Sequence, residues 1–192
     1  MNSVETHTTE TLVEKQSKFI AHLLPYTQYE KVLLELKQEH PKARHFVTAF
    51  RYINEFDQVV EGSSDDGEPK GTSGKPTLAV LQGQNLINIG VITVRYFGGT
   101  KLGTGGLVRA YSDATNKVVE NATLVPYEKH EQKRVSCLYS DVGKVAYALE
   151  QCRVGVESKS YEAMGVCFSL SATQERIEQF LGEMDRLIKI EE

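Results

Sequence analysis

The stretch RYFGGTKLGTGGLVRAY, residues 95–111, carries five glycines within nine residues. It follows the densest run of Ile and Val in the chain and leads straight into apolar residues at helical spacing. Glycine reaches positive φ and lets backbone approach other groups closely. The tract therefore reads either as turns and close packing, or as bare amides at a helix start, where an anion is favoured. Both readings fix a strand, a tight connection and a helix in that order.

Neither nucleotide fingerprint fits. Gly98 and Gly103 have the gap of a phosphate loop, but Thr104 stands where that loop needs lysine. A dinucleotide reading of Gly103-Thr104-Gly105 would need glycine or alanine at Val108. What remains is glycine backbone with Arg95, Lys101 and Arg109 nearby, and an aromatic pair, Tyr96-Phe97, able either to pack in the core or to stack a base.

Around this unit the chain reads as α+β. Residues 1–9 are polar, a frayed end or short edge strand. Residues 19–24 form an apolar run ending at Pro25, a strand. Residues 26–40 place Tyr29, Val32, Leu33 and Leu36 at helical spacing before Pro41. Residues 45–52 read as a strand, which 58–61 can pair with across the turn at 54–57. Pro76 suits the first turn of a helix ending near Gly83. Residues 86–97 read as a strand buried on both sides, and 107–121 as a helix. This order predicts a mixed sheet with helices on one face. After a polar segment at 126–134, residues 135–140, 142–152, 154–159, 165–171, 174–183 and 186–190 give the βαββαβ order of a ferredoxin-like domain. The expected boundaries are 1–130 and 131–192.

A second loop, residues 61–76, is crowded with Gly, Ser, Asp and Pro and is long for a compact domain. Asp65, Asp66 and Glu68 there can bind a cation or do acid–base work, and solvated turn chemistry explains the same residues. His45, after Lys42 and Arg44, opens a strand and is a further catalytic candidate, with a packed or solvent-facing role as the plainer reading. No activating partner is visible for any of these three, Asp66, Glu68 or His45.

Composition excludes some classes. The net charge is −4, and acidic residues outnumber basic ones on both sides of residue 130, which argues against a uniformly basic duplex-binding surface. Cys137, Cys152 and Cys167 lie fifteen residues apart with no CxxC and no histidine at ligand spacing, so neither zinc nor a disulfide framework is expected. Their odd number and the lack of a signal peptide fit a reducing cytoplasm. No apolar run reaches membrane length, and no metal or cofactor is expected.

SDDGEPKGTSGKP at 64–76 and VRYFGGTKLGTGGLVRAY at 94–111 together resemble the signature of the IMPACT family in its bacterial YigZ-type form. Residues 17–23 and the helix after Pro76 agree with it, so the resemblance covers nearly all of the first 125 residues. It implies a first domain of the βαβ-type fold shared by a ribosomal-protein domain and elongation factor G domain IV, and a second domain similar to domain V of that factor. Eukaryotic relatives regulate translation by binding a ribosome-associated activator of a starvation-sensing kinase. Bacterial relatives lack a firmly assigned activity, with nucleic-acid or ribosome binding the usual suggestion. Relatives often carry Cys or Asn soon after the position of His45, where this chain reads His45-Phe46-Val47, and this weakens a reaction scheme there.

The leading expectation is a non-enzymatic protein whose two loops line one groove and bind an anionic partner, RNA or the ribosome. The contact residues expected are Lys70, Gly71, Thr72, Gly74 and Lys75 on one loop, and Arg95, Tyr96, Phe97, Gly98, Gly99, Lys101, Gly103, Gly105, Gly106 and Arg109 on the other. The rival is a hydrolase or transferase acting on a small phosphorylated or peptide-like substrate, with Asp66 or Glu68 as base and Arg95 as clamp. A third reading is a scaffold binding a protein partner through the second domain's sheet. The sequence leaves self-association open.

Overall fold

The structure, a computed structural model, describes residues 1–191, and the chain divides into two compact units, Met1–Tyr127 and Glu128–Glu192. The first unit contains β1 (Asn2–Val4), β2 (Thr8–Glu14), β3 (Ser17–Pro25), α1 (Tyr29–Glu39), β4 (His45–Ile53), β5 (Val59–Ser64), α2 (Gly74–Gly83), β6 (Ile89–Tyr96), α3 (Gly103–Glu120) and β7 (Leu124–Pro126). Five strands form a sheet in the order β2-β3-β6-β4-β5, and β1 pairs with β7 in a separate ribbon.

Every pairing in the five-stranded sheet is antiparallel, which corrects the expected mixed sheet. The reason is topological: β6 inserts between β3 and β4, which run parallel to each other but never share a hydrogen-bond ladder. The central position of β6 agrees with its run of Ile and Val, buried from Ile89 to Arg95.

Helices on one face is also corrected. Because side chains alternate along a strand, Phe19, Ala21 and Leu23 of β3 share a face with Val91, Val47 and Ala49 and pack against Leu81 of α2 and Leu107, Ala110, Ala114 and Val118 of α3. On the opposite face, Ile20, Leu24, Ile92 and Val94 pack against Tyr29, Val32 and Leu36 of α1. Strands apolar at successive positions expose a greasy surface on both sides, and one layer of helix cannot cover both.

Two element boundaries differ from the sequence reading. α2 begins at Gly74, with Pro76 still inside its first turn where a missing N–H costs nothing. α3 begins at Gly103, so Gly103, Gly105 and Gly106 lie in its first turn rather than before it. The loop between β5 and α2 thus shrinks to residues 65–73.

The second unit contains β8 (Glu131–Leu138), α4 (Val142–Gln151), β9 (Gly155–Tyr161), β10 (Gly165–Ala172), α5 (Gln174–Met184) and β11 (Ile188–Glu191). The strands lie antiparallel in the order β11-β8-β10-β9. Alternate residues of β10, Val166, Phe168 and Leu170, pack with Val135 against Val145 and Leu149 of α4 and Ile177 and Phe180 of α5. All three cysteines are free and buried. Among the described residues no helix is long and apolar enough to cross a membrane.

Candidate nucleic-acid interface

Residues 65–73 are folded around one carboxylate. Oδ1 of Asp65 accepts from the Ser73 amide at 3.1 Å, the Ser73 hydroxyl at 2.7 Å and the Gly74 amide at 2.8 Å, and Oδ2 accepts from the Gly71 amide at 2.7 Å. Gly71 has φ of 77°, the left-handed turn that points its amide back at Asp65. Burial opposes the Asp65 charge, but the Gly71 amide and the Ser73 and Gly74 donors outweigh it and bring the carboxyl down to about 2. The same bonds satisfy two amides at the start of α2, as a capping residue does.

The next turn fastens this loop to the start of β4. Oδ2 of Asp66 accepts from the Phe46 amide at 2.6 Å, and its carbonyl accepts from Nδ1 of His45 at 2.8 Å. That places Nε2 of His45 3.8 Å from Oε1 of Glu68.

Strand register explains what Glu68 meets. His45 on β4, Arg95 on β6 and Phe19 on β3 are cross-strand partners in one row, on the face covered by α2 and α3. The Glu68 side chain, only 3% exposed, lies against this row, and its Oε1 accepts from Nη1 of Arg95 at 2.5 Å and from the hydroxyl of Tyr111 on α3 at 2.8 Å. Burial, and then the Glu68 charge, push the Tyr111 hydroxyl well above its ordinary range, so it remains a donor. The Arg95 guanidinium also stacks against two rings, 5.3 Å from the centroid of Phe19 and 6.0 Å from that of Phe97. Arg44 approaches the Phe97 ring at 5.9 Å.

The two sequence-distant segments meet in a groove of about 330 Å³ lined by Glu68, Pro69, Arg95, Phe97, Lys101, Leu102, Gly103, Thr104 and Leu107. Phe97 is 42% exposed at its edge. The other expected residues lie elsewhere. Lys70 and Lys75 are exposed and do not line the groove. Arg109 lines a separate recess of about 210 Å³ with Leu12, Glu14, Lys15 and Asp113. Tyr96 belongs to the opposite face of the sheet, its hydroxyl hydrogen-bonded to Nδ1 of His40 at 2.9 Å. The Thr72 hydroxyl donates to the Pro69 carbonyl at 2.7 Å, holding the loop itself. The Gly98 amide donates to the Ser17 hydroxyl at 3.1 Å, and a Cβ at Gly98 would fall 2.0 Å from the carbonyl carbon of Gln16, which explains the glycine there. Of the expected cations, then, only Arg95 and Lys101 line the groove, and Arg95 is matched by Glu68.

Chemically, the groove offers a half-exposed aromatic ring, apolar walls, a cation in Lys101 that is unpaired among the described residues, and a buried carboxylate–guanidinium pair. Asp66 and Glu68 are both engaged as acceptors, Asp66 by the Phe46 amide and Glu68 by Arg95 and Tyr111. Among the described residues no group of three or more His, Cys, Asp or Glu is placed to hold a metal ion. The sequence reading weighed Asp65 for cation binding or acid–base work rather than as the centre of the loop's hydrogen bonds, and it did not place Arg44 beside Phe97 or Tyr111 on Glu68. The one available signal for Asp65 was an acidic residue followed, within ten positions, by the Ser-Gly start of a helix.

Comparison with known proteins identifies the family. Residues 15–119 match the Impact N-terminal domain, a span that includes every residue of the groove. An IMPACT family member of Haemophilus influenzae is 36% identical over 176 residues, covering 88% of this chain and 84% of that protein. The IMPACT family member YigZ of Escherichia coli is 37% identical over 158 residues, covering 80% and 78%. A solved crystal structure of a hypothetical protein superposes with a TM-score of 0.73 at 28% identity, covering 98% of this chain and 95% of that one. With Glu68 and Pro69 of one signature loop meeting Arg95, Phe97 and Gly103 of the other at the groove, and these matches spanning most of its length, the chain belongs to the IMPACT family, alongside its bacterial YigZ-type members.

Proposed function

We propose that this is a non-enzymatic binding protein that contacts RNA in the setting of the ribosome and is linked to the regulation of translation. The observation that carries this reading is Phe97, exposed at the edge of the groove with Arg44 and Arg95 beside its ring and Lys101 on the same lining. A base stacks on an exposed aromatic face whatever its identity, and a nearby amine meets the phosphate that follows. The acidic net charge fits a partner held at one local groove rather than over a broad basic surface.

Family membership supports the translational setting. On this reading the first unit takes the fold of elongation factor G domain IV, and the second is a ferredoxin-like domain similar to domain V, whose sheet offers a surface for a protein partner. The strand order β11-β8-β10-β9 supports the second assignment. Three free, buried cysteines are compatible with a cytoplasmic setting.

The test is fluorescence anisotropy of the full chain with a labelled single-stranded oligouridine across a salt series. Binding should weaken with salt, with a log–log slope of about 0.7 per phosphate contacted. Phe97→Ala should lose about 1–3 kcal/mol of affinity. An isotherm that stays flat at low salt would remove the reading, as would binding indifferent to Phe97.

A further inference from the structure

We propose that the groove is selective for guanine, reading its Watson–Crick edge with Glu68 and Arg95 while Phe97 stacks the ring. The inference rests on the RNA-binding reading above and narrows it.

The starting point is an asymmetry at Glu68. Its bonds from Arg95 and Tyr111, and its approach to His45, all fall on Oε1. Among the described residues Oε2 has no partner, yet Glu68 lines the groove. Carboxylate oxygens accept and do not donate, and Glu68 reaches the lining of the groove. Next to it, Arg95 spends Nη1 on Glu68, while among the described residues its buried Nε has no partner. The inner wall thus presents a vacant acceptor beside a cation.

Guanine complements that pattern. Its edge presents two adjacent donors, N1–H and the 2-amino group, beside the O6 acceptor. Adenine and cytosine would set a ring-nitrogen lone pair against the carboxylate, and uracil offers a single N–H between two carbonyls. Sites built from buried hydrogen-bonding groups reject analogues that leave those groups unpaired. The remaining lining suits a purine: Pro69, Phe97, Leu102 and Leu107 are apolar, and the volume of about 330 Å³ falls in the range of small-ligand pockets. Bases splayed from single strands are commonly read in this way, stacked on an aromatic or guanidinium plane and bonded along the Watson–Crick edge.

The experiment uses the full chain and labelled uridine octamers that carry one central G, A, C, U or inosine, measured by anisotropy at fixed low salt. The G oligomer should bind about tenfold tighter than those with A, C or U, the discrimination expected of one well-formed base contact. Inosine, which keeps N1–H and O6 but lacks the 2-amino group, should fall between. Glu68→Gln should collapse this spread. The inosine comparison uses the unaltered protein, so it decides the matter even if the variant fails to fold. Equal affinity for all five oligomers, or preference for another base, would overturn guanine selectivity and leave RNA binding standing. No binding to any of them would overturn both.

Discussion

Nη1 of Arg95 lies 2.5 Å from Oε1 of Glu68, joining β6 to a loop twenty-seven residues earlier in the chain. Both side chains are more than nine-tenths buried. The pair closes the inner wall of the groove and fixes where residues 65–73 sit on the sheet. Removing one partner strands the other charge in a poorly solvated place. Glu68→Ala should therefore cost about 3–5 kcal/mol, and Glu68→Leu combined with Arg95→Met should cost less than either single change. Urea denaturation of Glu68→Ala, Glu68→Leu, Arg95→Met and the double variant checks this, and an additive double variant would show that the two residues are not coupled.

Tyr111 reaches the same oxygen from α3. Tyr111→Phe keeps the ring, 5.1 Å from Phe19 in an edge-on contact, and removes only the donor. A hydrogen bond to a charged group predicts a loss of about 1.5–3 kcal/mol. Thermal unfolding gives the measurement, and a neutral result would mean that Arg95 alone satisfies Glu68.

Acid should act on the loop through Asp65. Its carboxyl is depressed from 3.8 to about 2 in the folded chain, so the folded state binds that proton less readily than the unfolded state. The stabilisation is complete above about pH 4 and disappears as pH falls through about 2, with a total of about 2 kcal/mol. Asp65→Asn should remove that part of the acid dependence. Unfolding free energy followed from pH 5 to pH 2 in both proteins checks it, and parallel curves would contradict the assignment.

A second window, higher in pH, belongs to His22 on β3. Burial, helped by the neighbouring His7 and His40, lowers it from 6.5 to about 4. Its buried Nε2 has no partner among the described residues, and Nδ1 lies 3.0 Å from Nε2 of His7. A histidine kept neutral in the folded state stabilises fully above about pH 6.5, and that contribution drains as pH falls toward about 4. His22→Gln should flatten stability across this interval without touching the Asp65 window. NMR titration of the ring gives an independent check: a midpoint near 6.5 in the folded chain would contradict the burial argument.

These residues show which parts of the molecule could be read in advance. The successive Ile and Val of β6 announced a strand buried on both faces, and the spacing of Leu107, Ala114 and Val118 announced α3. That β6 slots between β3 and β4 is a long-range choice that local pattern does not encode, so sheet direction and the two-sided helix cover were misread. The start of α3 was hidden because glycine has almost the lowest helix propensity of any residue. At the groove, Glu68, Arg95 and Phe97 stood out as types, but their pairing follows from strand register and from a loop folded around Asp65. Arg109, on the same helix as Tyr111, looked equivalent to Lys101 until the helix turned it toward another recess.

That last difference gives the sharpest test of where the partner sits. Lys101 lines the groove beside Phe97, whereas Arg109 faces Glu14, Lys15 and Asp113 in a separate recess. Each carries one positive charge on an exposed part of the same 95–111 segment, so composition alone predicts equal effects. The structure predicts unequal ones. Lys101→Ala should weaken oligouridine binding and lower the salt slope by about 0.7, the loss of one phosphate contact. Arg109→Ala should leave both affinity and slope within error. Anisotropy across a salt series separates the two, and the reverse outcome would move the interface off Phe97 and onto the recess beside β2.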